Sequence, residues 1–246
     1  MRYLIGFSYD GTDFYGYQKQ LNKRTVQGEI ETVLSKVLNC KTIINASGRT
    51  DAKVHAYNQK AHFDCDKSID CGKLKNSLNK MLPNDIFVKN IKQVSNHFHA
   101  RYDVKYKKYI YKINIGEYNP FERNYVYQYN KNLDIDLLKE TSSYLIGTHN
   151  FKSFTKAVQE EKDYVRTIYE INIVQKNNII EIELIGNGFL RYMVRNLVGT
   201  LITINERKMN PFIIQDIMNK QDRVEAFKTI NPEGLYLEDV IYESSI

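Results

Sequence analysis

The alternation of apolar and polar positions predicts both helices and strands throughout the chain. In the first half, apolar side chains recur at helical spacing after Thr25, a residue type that caps helices, and the pattern ends near Asn39. These side chains are Val26, Ile30, Val33, Leu34, Val37 and Leu38. Apolar runs between turn residues predict the other elements, which are strands over 2–9, 43–46, 59–64 and 86–94 and a helix that Asp70 caps and Pro83 stops.

The second half has the same mixed character. Its pattern predicts a strand over 104–115, a helix over 134–146 that Gly147 ends, a hairpin of strands over 165–175 and 179–186, helices over 189–205 and after Pro211, and a strand over 235–242. Within 179–186 aliphatic residues alternate with glutamate, so one face of that strand is exposed to water. Helices and strands in both halves predict two α+β lobes, residues 1–100 and 101–246, with antiparallel sheet.

The composition is that of a folded protein. Of its 246 residues, 42% are hydrophobic and 26% are charged, and the formal net charge is +6. These values exclude a disordered tail or a collagen-like rod. Neither a signal-peptide pattern nor an apolar run of membrane-spanning length is visible, so we expect a cytoplasmic protein with no membrane partner. Cys40, Cys65 and Cys71 lack metal-ligand spacing, so we expect reduced thiols and no metal.

Basic residues and tyrosines are interleaved over residues 101–112, which read RYDVKYKKYIYK. On a strand, Tyr109 and Tyr111 share one face with Lys105 and Lys107. Aromatic rings flanked by cations can stack on a nucleobase while the cations bind phosphate, which is typical of nucleic-acid binding. An exposed strand whose tyrosines pack against a core explains the same pattern equally well.

Two arginines lie in the helix predicted over 189–205. Arg191 and Arg195 are four residues apart, so they share one face of that helix. From the sequence pattern alone, two solvated arginines are the simpler interpretation.

Residues 45–56 read NASGRTDAKVHA and contain a small-residue turn followed by charged side chains. Gly48 permits backbone conformations that other residues rarely adopt. Asp51 would lie on a tight connection two residues from Arg49, which is typical of a catalytic carboxylate held on a loop. A turn stabilised by a local ion pair is an equally good interpretation. His55 is the nearby side chain that could activate water, although a packed structural histidine is the simpler interpretation.

Five blocks of sequence resemble the tRNA pseudouridine synthase A family. GRTDAKVHA resembles the family signature GRTDAGVHA, and YDGTDFYGYQKQ resembles YDGTxFxGWQxQ. FHARYDVKYKKYIY resembles FxARxxAxxKxYxY, GNGFLRYMVRNLVGTL resembles a helix ending in MVRNxVG, and EGLYLEDVIY resembles EGLxLxxVxY. The blocks follow the family order from residue 3 to residue 242, so the resemblance covers essentially the whole chain.

The resemblance implies an enzyme that isomerises uridine to pseudouridine in tRNA. Members of the family detach uracil from ribose, rotate it and reattach it through carbon 5. The implied substrate is the 3′ side of the anticodon stem-loop, positions 38 to 40 in tRNA numbering. The implied fold has two α+β lobes that share a mixed, mainly antiparallel sheet, with helices packed on it and a central RNA-binding cleft. No cofactor is implied, and family members act on tRNA as homodimers.

The resemblance also implies roles for particular residues. The essential aspartate of the family falls on Asp51, the covalent nucleophile, which attacks either the base or the ribose carbon. Arg195 is implied as the partner that keeps this carboxylate ionised. Tyr109 matches the first tyrosine of the KxYxY block and would stack on the uracil and help to remove the carbon 5 proton.

The remaining candidates would bind the substrate. Arg49 matches the arginine that supports the extruded nucleotide, since a base must leave the stack before it can react. Leu235 and Leu237 would shape an apolar pocket wall. Lys107 and Lys108 are candidates for binding phosphate because they belong to the basic segment 101–112.

Two positions depart from the family blocks. Lys53 stands where the family has glycine. If that glycine has a positive φ, lysine costs about 1 kcal/mol there; alternatively, the lysine adds a phosphate contact. Tyr17 replaces the usual tryptophan. These departures leave open a paralogue with a different tRNA target site. Further alternatives are a tRNA-binding or chaperone-like module of the same fold, and a small-molecule hydrolase that uses Asp51 with His55.

Overall fold

Ten strands, five α-helices and two one-turn 3₁₀ helices (Lys152–Phe154 and Arg223–Glu225) form the regular structure of the residues described by the computed structural model, which are 1–156 and 163–243. In chain order the elements are β1 (Arg2–Tyr9), α1 (Val26–Leu38), β2 (Asn45–Ala46), β3 (His55–Asp64), α2 (Cys71–Met81), β4 (Ile86–Val94), β5 (Val104–Asn114), β6 (Tyr127–Gln128), α3 (Ile135–Ser143), β7 (Gly147–Asn150), β8 (Val165–Lys176), β9 (Ile179–Gly186), α4 (Met193–Glu206), α5 (Ile213–Lys220) and β10 (Leu235–Tyr242).

The chain divides into two units, and the strands form one mixed sheet. The first unit consists of Met1–Lys107 with Tyr236–Ile246, and the second consists of Lys108–Leu235. Most of β10 therefore belongs with the first unit. The α+β class with a mixed sheet is confirmed. The predicted division into lobes at residue 101 stays a prediction, and residues 244–246 of the predicted second lobe lie outside the described residues.

Both helices of the first unit begin where the sequence predicts, and each has an N-cap side chain that accepts a hydrogen bond from a backbone N–H. Thr25 Oγ1 accepts a hydrogen bond from Gly28 N–H at 3.4 Å at the start of α1. Asp70 Oδ1 accepts one from Lys73 N–H at 3.0 Å at the start of α2. Each bond satisfies a donor that the first helical turn leaves unpaired. Asn39 ends α1 in the left-handed conformation with φ 52°.

The sheet of the first unit has β1 in its interior. This strand pairs antiparallel with β3 on one side and with β4 on the other. The short β2 pairs antiparallel with β3, and β10 pairs parallel with β3. Six of the eight residues of β1 are buried, so both faces of this strand are covered. The core includes Tyr3, Ile5 and Phe7 from β1 and Ile30 and Leu34 from α1.

The second unit contains the predicted hairpin and a largely buried helix. Strands β8 and β9 pair antiparallel over most of their length. In β9, Ile180, Ile182 and Leu184 are buried while the alternate positions are partly exposed, so the predicted wet face is confirmed. Twelve of the fourteen residues of α4 are buried. This helix is therefore central to the core of its unit.

Two helix boundaries predicted from the sequence are wrong. The helix predicted over 134–146 ends at Ser143, because the chain tightens there into turns before Gly147 begins β7. In these turns Leu145 N–H donates to the carbonyl oxygen of Ser142 and Ile146 N–H to that of Ser143. The helix predicted over 189–205 begins only at Met193, because Tyr192 has φ 63° and cannot continue a right-handed helix. Arg191 therefore precedes α4, and the prediction that it shares a helix face with Arg195 is wrong.

The strand predicted over 59–64 begins earlier than expected, at His55. Its first residues pair in parallel with β10, through Tyr236 with His55 and Leu237 with Ala56. The amino-acid pattern near residue 55 carries no signal for this pairing, since its partner lies far away in the sequence.

Candidate active site

The loop that carries Asp51 joins two paired strands. Residues 47–54 connect β2 to β3, which pair antiparallel. Ser47, Thr50 and Val54 are buried, whereas Asp51 is partly exposed. Val54 N–H donates to the carbonyl oxygen of Asp51 at 3.2 Å, which closes a turn. Buried residues therefore anchor the loop before Asp51 at Thr50 and after it at Val54, while Asp51 itself keeps contact with solvent.

Four buried polar residues hold this loop, and we refer to Tyr9, Ser47, Thr50 and Gln59 as the buried polar network. Ser47 Oγ donates to Gln59 Oε1 at 2.7 Å, and Gln59 Nε2 donates to the carbonyl oxygen of Gly48 at 3.1 Å. The hydroxyls of Tyr9 and Thr50 share a hydrogen bond of 2.7 Å. Burial raises the pKa of Tyr9 to about 12, while hydrogen bonds with Thr50 and Gln59 oppose the rise. The network is therefore uncharged near neutral pH.

The YDGTDFYGYQKQ block packs directly on the same loop. Tyr17 N–H donates to the carbonyl oxygen of Thr50 at 3.1 Å, and Lys53 N–H donates to that of Phe14 at 3.3 Å. Gly16 has φ 93°, and a Cβ there would lie 3.0 Å from the carbonyl oxygen of Thr50. Glycine thus allows the two backbones to approach closely. The two sequence blocks therefore form one structural feature.

Both departures from the family blocks, Lys53 and Tyr17, lie where the Asp51 loop contacts the YDGTDFYGYQKQ block. Lys53 has φ 65°, so the strained left-handed conformation considered from the sequence is present. Tyr17 is buried with its ring stacked on Phe7, and its hydroxyl finds no hydrogen-bond partner among the residues that the structure describes. Burial, together with Tyr9 and Glu31 nearby, raises the pKa of Tyr17 well above its usual value.

Two cationic residues of the first unit lie at the turn that precedes Asp51. Arg49 is exposed. Lys107 Nζ donates to the carbonyl oxygen of Ser47 at 2.7 Å. A Cβ on Gly48 would lie 2.9 Å from the same ammonium nitrogen, so this position needs glycine or a displaced lysine. Lys107 therefore contacts the backbone of the loop, and its predicted role in binding substrate stays a prediction.

His55 packs inside the first unit. Its Nδ1 accepts a hydrogen bond from Gly11 N–H at 3.0 Å and lies 3.2 Å from Asp10 Oδ1. Its ring stacks on Tyr236 with centroids 4.7 Å apart. Only 2% of the residue is exposed. These contacts fit a structural histidine and give no support to a hydrolase in which His55 activates water.

The two predicted pocket leucines are both buried. Leu237 pairs with Ala56 of β3 in the first unit. Leu235 belongs to the second unit, where its N–H donates to the carbonyl oxygen of Pro232 at 2.9 Å. Their role in shaping a pocket wall stays a prediction.

Two tyrosines of β5 are buried in the second unit. Tyr109 meets Phe189 edge to face, with ring centroids 5.1 Å apart. Tyr111 Oη donates to the carbonyl oxygen of Asn231 at 2.7 Å, and its residue is fully buried. Tyr111 is therefore a core residue, as expected from its place further along the strand.

Arg195 is held in the first turn of α4. Its Nε donates to the carbonyl oxygen of Ile230 at 2.8 Å, and Ile230 N–H donates back to the carbonyl oxygen of Arg195 at 3.3 Å. The guanidinium carbon lies 5.1 Å from the ring centroid of Tyr192. Arg195 is thus held by its neighbours while it stays partly exposed. Its predicted ion pair with Asp51 joins residues of different units and stays a prediction.

Tyr192 is a residue that the sequence pattern did not single out. It precedes α4 with φ 63°, which is uncommon for a bulky side chain and costs conformational energy. Three cations surround its ring, with Lys156 at 5.9 Å, Arg191 at 5.3 Å and Arg195 at 5.1 Å from the centroid. Helical periodicity gives no signal for this arrangement, since it continues through residue 192.

Asn196 anchors the same end of α4. Its Nδ2 donates to the carbonyl oxygen of Phe154 at 2.7 Å. Its Oδ1 accepts hydrogen bonds from Thr229 Oγ1 at 2.6 Å and from Arg223 Nη2 at 3.1 Å. Because Asn196 follows Arg195 directly, these bonds fix the turn that presents the arginine.

Three lysines of β5 face carboxylates. The pairs are Lys105 with Glu243 at 4.0 Å, Lys108 with Glu183 at 2.6 Å and Lys112 with Glu181 at 3.8 Å. These carboxylates offset part of the positive charge that the sequence concentrates over 101–112. A phosphate that binds Lys108 must therefore share its ammonium group with Glu183.

Cys40, Cys65 and Cys71 are free thiols, and residues 1–156 and 163–243 contain no cluster of His, Cys, Asp and Glu side chains that could bind a metal ion. Within the same part of the chain, every helix is too short or too polar to cross a membrane.

Comparison with known proteins gives a family match, several close relatives and one distant structural likeness. A family model described as tRNA pseudouridine synthase matches residues 6–103 and 142–243. The tRNA pseudouridine synthase A 1 of Bacillus cereus is 44% identical over 239 residues, 96% of this chain and 97% of the relative. The tRNA pseudouridine synthase A of Thermosipho africanus is 42% identical over 243 residues, 98% of this chain and 99% of the relative. A crystal structure of a Cbf5-Nop10-Gar1 complex is similar with a TM-score of 0.35 and 9% identity, over 81% of this chain and 53% of that chain.

The family match covers most of the chain, and the relatives align over nearly their whole lengths. The chain therefore belongs to the tRNA pseudouridine synthase family and is an enzyme of the isomerase class. Within this family, the similarity is to proteins named tRNA pseudouridine synthase A, as the five sequence blocks implied.

Proposed function

We propose that the enzyme converts uridine to pseudouridine on the 3′ side of the tRNA anticodon stem-loop, positions 38 to 40, with Asp51 as the covalent nucleophile. The observation that carries the proposal is the setting of Asp51. This partly exposed carboxylate lies on a loop anchored by the buried residues Ser47, Thr50 and Val54, of which Ser47 and Thr50 bond within the buried polar network. The surrounding GRTDA block matches the family signature, and the relatives' names support tRNA as substrate.

The reaction requires a positioned, ionised carboxylate and no net redox change. The bond between ribose C1′ and uracil N1 breaks, the base turns, and a bond forms between C1′ and C5. The proton on C5 leaves, and N1 gains one, so atoms and electrons balance. Asp51 forms a transient bond to the base or to the ribose and is then released. The uridine must first leave the base stack.

We assign supporting roles to two residues of the second unit. Arg195 keeps Asp51 ionised, since a guanidinium beside a carboxylate typically lowers its pKa by about 1–3. The fixed position of Arg195, bonded to Ile230, supports this role. Tyr109 stacks on the uracil and assists removal of the C5 proton. Its ring is held at its edge by Phe189, which supports a fixed orientation.

Five residues are proposed to bind the RNA around the reacting uridine. Arg49 is exposed at the loop and supports the nucleotide that leaves the stack. Lys107 and Lys108 bind phosphate, and Leu235 and Leu237 form an apolar wall against the base.

Substitution of the nucleophile tests the mechanism directly. Asp51→Asn should abolish tritium release from tRNA labelled at carbon 5 of uridine, while tRNA binding stays close to that of the wild type. Asp13→Asn is the matched control, because it removes an exposed carboxylate from the neighbouring β1–α1 connection. Normal turnover by Asp51→Asn would refute the assigned role.

The target site is tested by carbodiimide-based mapping of pseudouridine in a tRNA pool with and without the enzyme. Modification at positions 38 to 40 supports the proposal, whereas modification elsewhere supports a paralogue with another target. Binding of tRNA without any modification supports the tRNA-binding or chaperone-like alternative.

We further propose that the enzyme acts in the cytoplasm as a homodimer. The free thiols are compatible with a reducing compartment. Analytical ultracentrifugation of the purified enzyme, with and without tRNA, tests the dimer, and a monomer under both conditions would refute it.

A further inference from the structure

The buried polar network bonds to the backbone and side chains that immediately precede Asp51. Gln59 contacts Ser47 and Gly48 at the start of the loop, and Tyr9 contacts Thr50 next to Asp51. None of Tyr9, Ser47, Thr50 and Gln59 is more than 8% exposed, so their hydrogen bonds are shielded from water. The two contacts fix the loop at both ends of the segment that leads to the nucleophile.

Tyr9 and Gln59 connect the loop to the sheet. Gln59 bonds to Ser47 and Gly48, Tyr9 bonds to Thr50, and Gln59 lies near enough to the Tyr9 hydroxyl to affect its pKa. Gln59 Oε1 accepts a further hydrogen bond from Lys60 N–H at 3.1 Å, which ties the amide group to the backbone of β3. A satisfied buried network of this kind has one favourable arrangement, because a broken bond leaves a polar group without a partner. Side chains on two sheet strands, Tyr9 on β1 and Gln59 on β3, therefore hold the loop in its conformation.

We propose that Tyr9 and Gln59 are positioning residues that hold the Asp51 loop in the conformation required for attack. This inference rests on the proposed role of Asp51 as the nucleophile. Both residues are buried, so their role does not require contact with the substrate. Their contribution to the rate is geometric, because a displacement of about 1 Å in a reacting group can cost about 100-fold in rate.

The test compares variants that remove single hydroxyl or amide groups. We expect Tyr9→Phe to lower the single-turnover rate of pseudouridine formation by about tenfold, and Gln59→Met by about 100-fold. The dissociation constant for tRNA should change by less than about threefold in both, because the substrate contacts remain. The pH dependence of the rate should keep the wild-type shape with a lower plateau, since Tyr9 stays neutral near pH 7.

A double variant separates positioning from stability. Tyr9→Phe with Thr50→Val replaces both hydroxyls of one hydrogen bond by apolar groups of the same shape, a change that is often nearly neutral for stability. Tyr3→Phe is the matched control in the same strand, because Tyr3 Oη accepts a hydrogen bond from Ile69 N–H at 3.1 Å, roughly 20 Å from Tyr9 along β1.

The outcomes distinguish the two levels of the proposal. Positioning is supported if the double variant has a lower single-turnover rate with wild-type tRNA affinity, and if Tyr3→Phe keeps the wild-type rate. A double variant with a rate within twofold of the wild type, or a Tyr3→Phe enzyme that is equally slow, overturns it. If Asp51→Asn itself is active, the proposed nucleophile fails first, and the positioning inference fails with it.

Discussion

His62 provides a pH-dependent contribution to stability that can be measured without substrate. The side chain is buried in the first unit, and its Nδ1 accepts a hydrogen bond from Ala100 N–H at 3.1 Å. The pKa of His62 is lowered to about 4, chiefly by burial. Nearby ionisable groups modify this value: Arg2 and His99 lower it, and Asp64 and Asp103 raise it. The folded protein therefore keeps this imidazole neutral.

The magnitude follows from the difference between folded and unfolded states. An unfolded histidine has a pKa of about 6.5 and binds a proton as the pH falls below that value, whereas folded His62 does not until the pH approaches 4. The stability from neutral His62 is therefore complete above pH 6.5 and is lost as the pH falls toward 4. Between pH 7.5 and pH 5 the expected loss is about 2 kcal/mol in the free energy of unfolding.

The assay is urea denaturation followed by circular dichroism at pH 7.5 and pH 5, on the wild type and on His62→Asn. Asparagine can keep an acceptor for Ala100 N–H but does not titrate. From pH 7.5 to pH 5, the free energy of unfolding of the variant should fall by about 2 kcal/mol less than that of the wild type. This difference does not depend on the stability of the variant at pH 7.5. Equal losses in the two proteins would refute the assignment of this pH dependence to His62.

Three further predictions concern backbone strain and buried groups. Tyr17→Phe should raise the free energy of unfolding by about 1 kcal/mol, because it removes a buried hydroxyl that lacks a partner among the described residues. Lys53→Gly should raise it by about 0.5–1 kcal/mol, since glycine tolerates φ 65° but loses more chain entropy on folding. Gly199→Ala should lower it by about 2 kcal/mol, because a Cβ would collide with the carbonyl oxygen of Lys228.

Urea denaturation at pH 7.5 measures the free energy of unfolding of these three variants. Gly72→Ala is the control for Gly199→Ala, because a Cβ at Gly72 meets only an ordinary contact of 3.4 Å in an exposed turn of α2. That control should be neutral or slightly stabilising. A destabilised Tyr17→Phe, an unchanged Lys53→Gly or a stable Gly199→Ala would each contradict the structural reason given for it.

Much of the fold was predictable because local side chains determine it. Thr25, Asp70 and Asp134 each accept a hydrogen bond from a backbone N–H three residues later, and each precedes a helix that the pattern predicted. The strands β1, β4 and β10 have the predicted bounds. Periodicity and capping act within a few residues, so the sequence pattern contains the information directly.

The missed elements depend on distant partners. The four residues of β7 have no alternation of their own and form a strand by pairing with β8. The start of β3 depends on pairing of His55 and Ala56 with β10 and of Ala56 with Tyr9 of β1. The start of α4 depends on the left-handed backbone of Tyr192, whereas the apolar pattern continues from Leu190 through that residue.

The sequence by itself determined the family, the reaction class and the residues proposed for chemistry, because these lie in contiguous blocks such as GRTDA. It also located Lys53 and Tyr17 as the departures. Only the tertiary structure decided what holds the Asp51 loop. Tyr9 and Gln59 are polar residues on strands, and a strand pattern alone does not tell whether such a residue faces water or a buried partner. Their hydrogen bonds to residues 47–50 exist because β1 and β3 pair side by side beneath that loop.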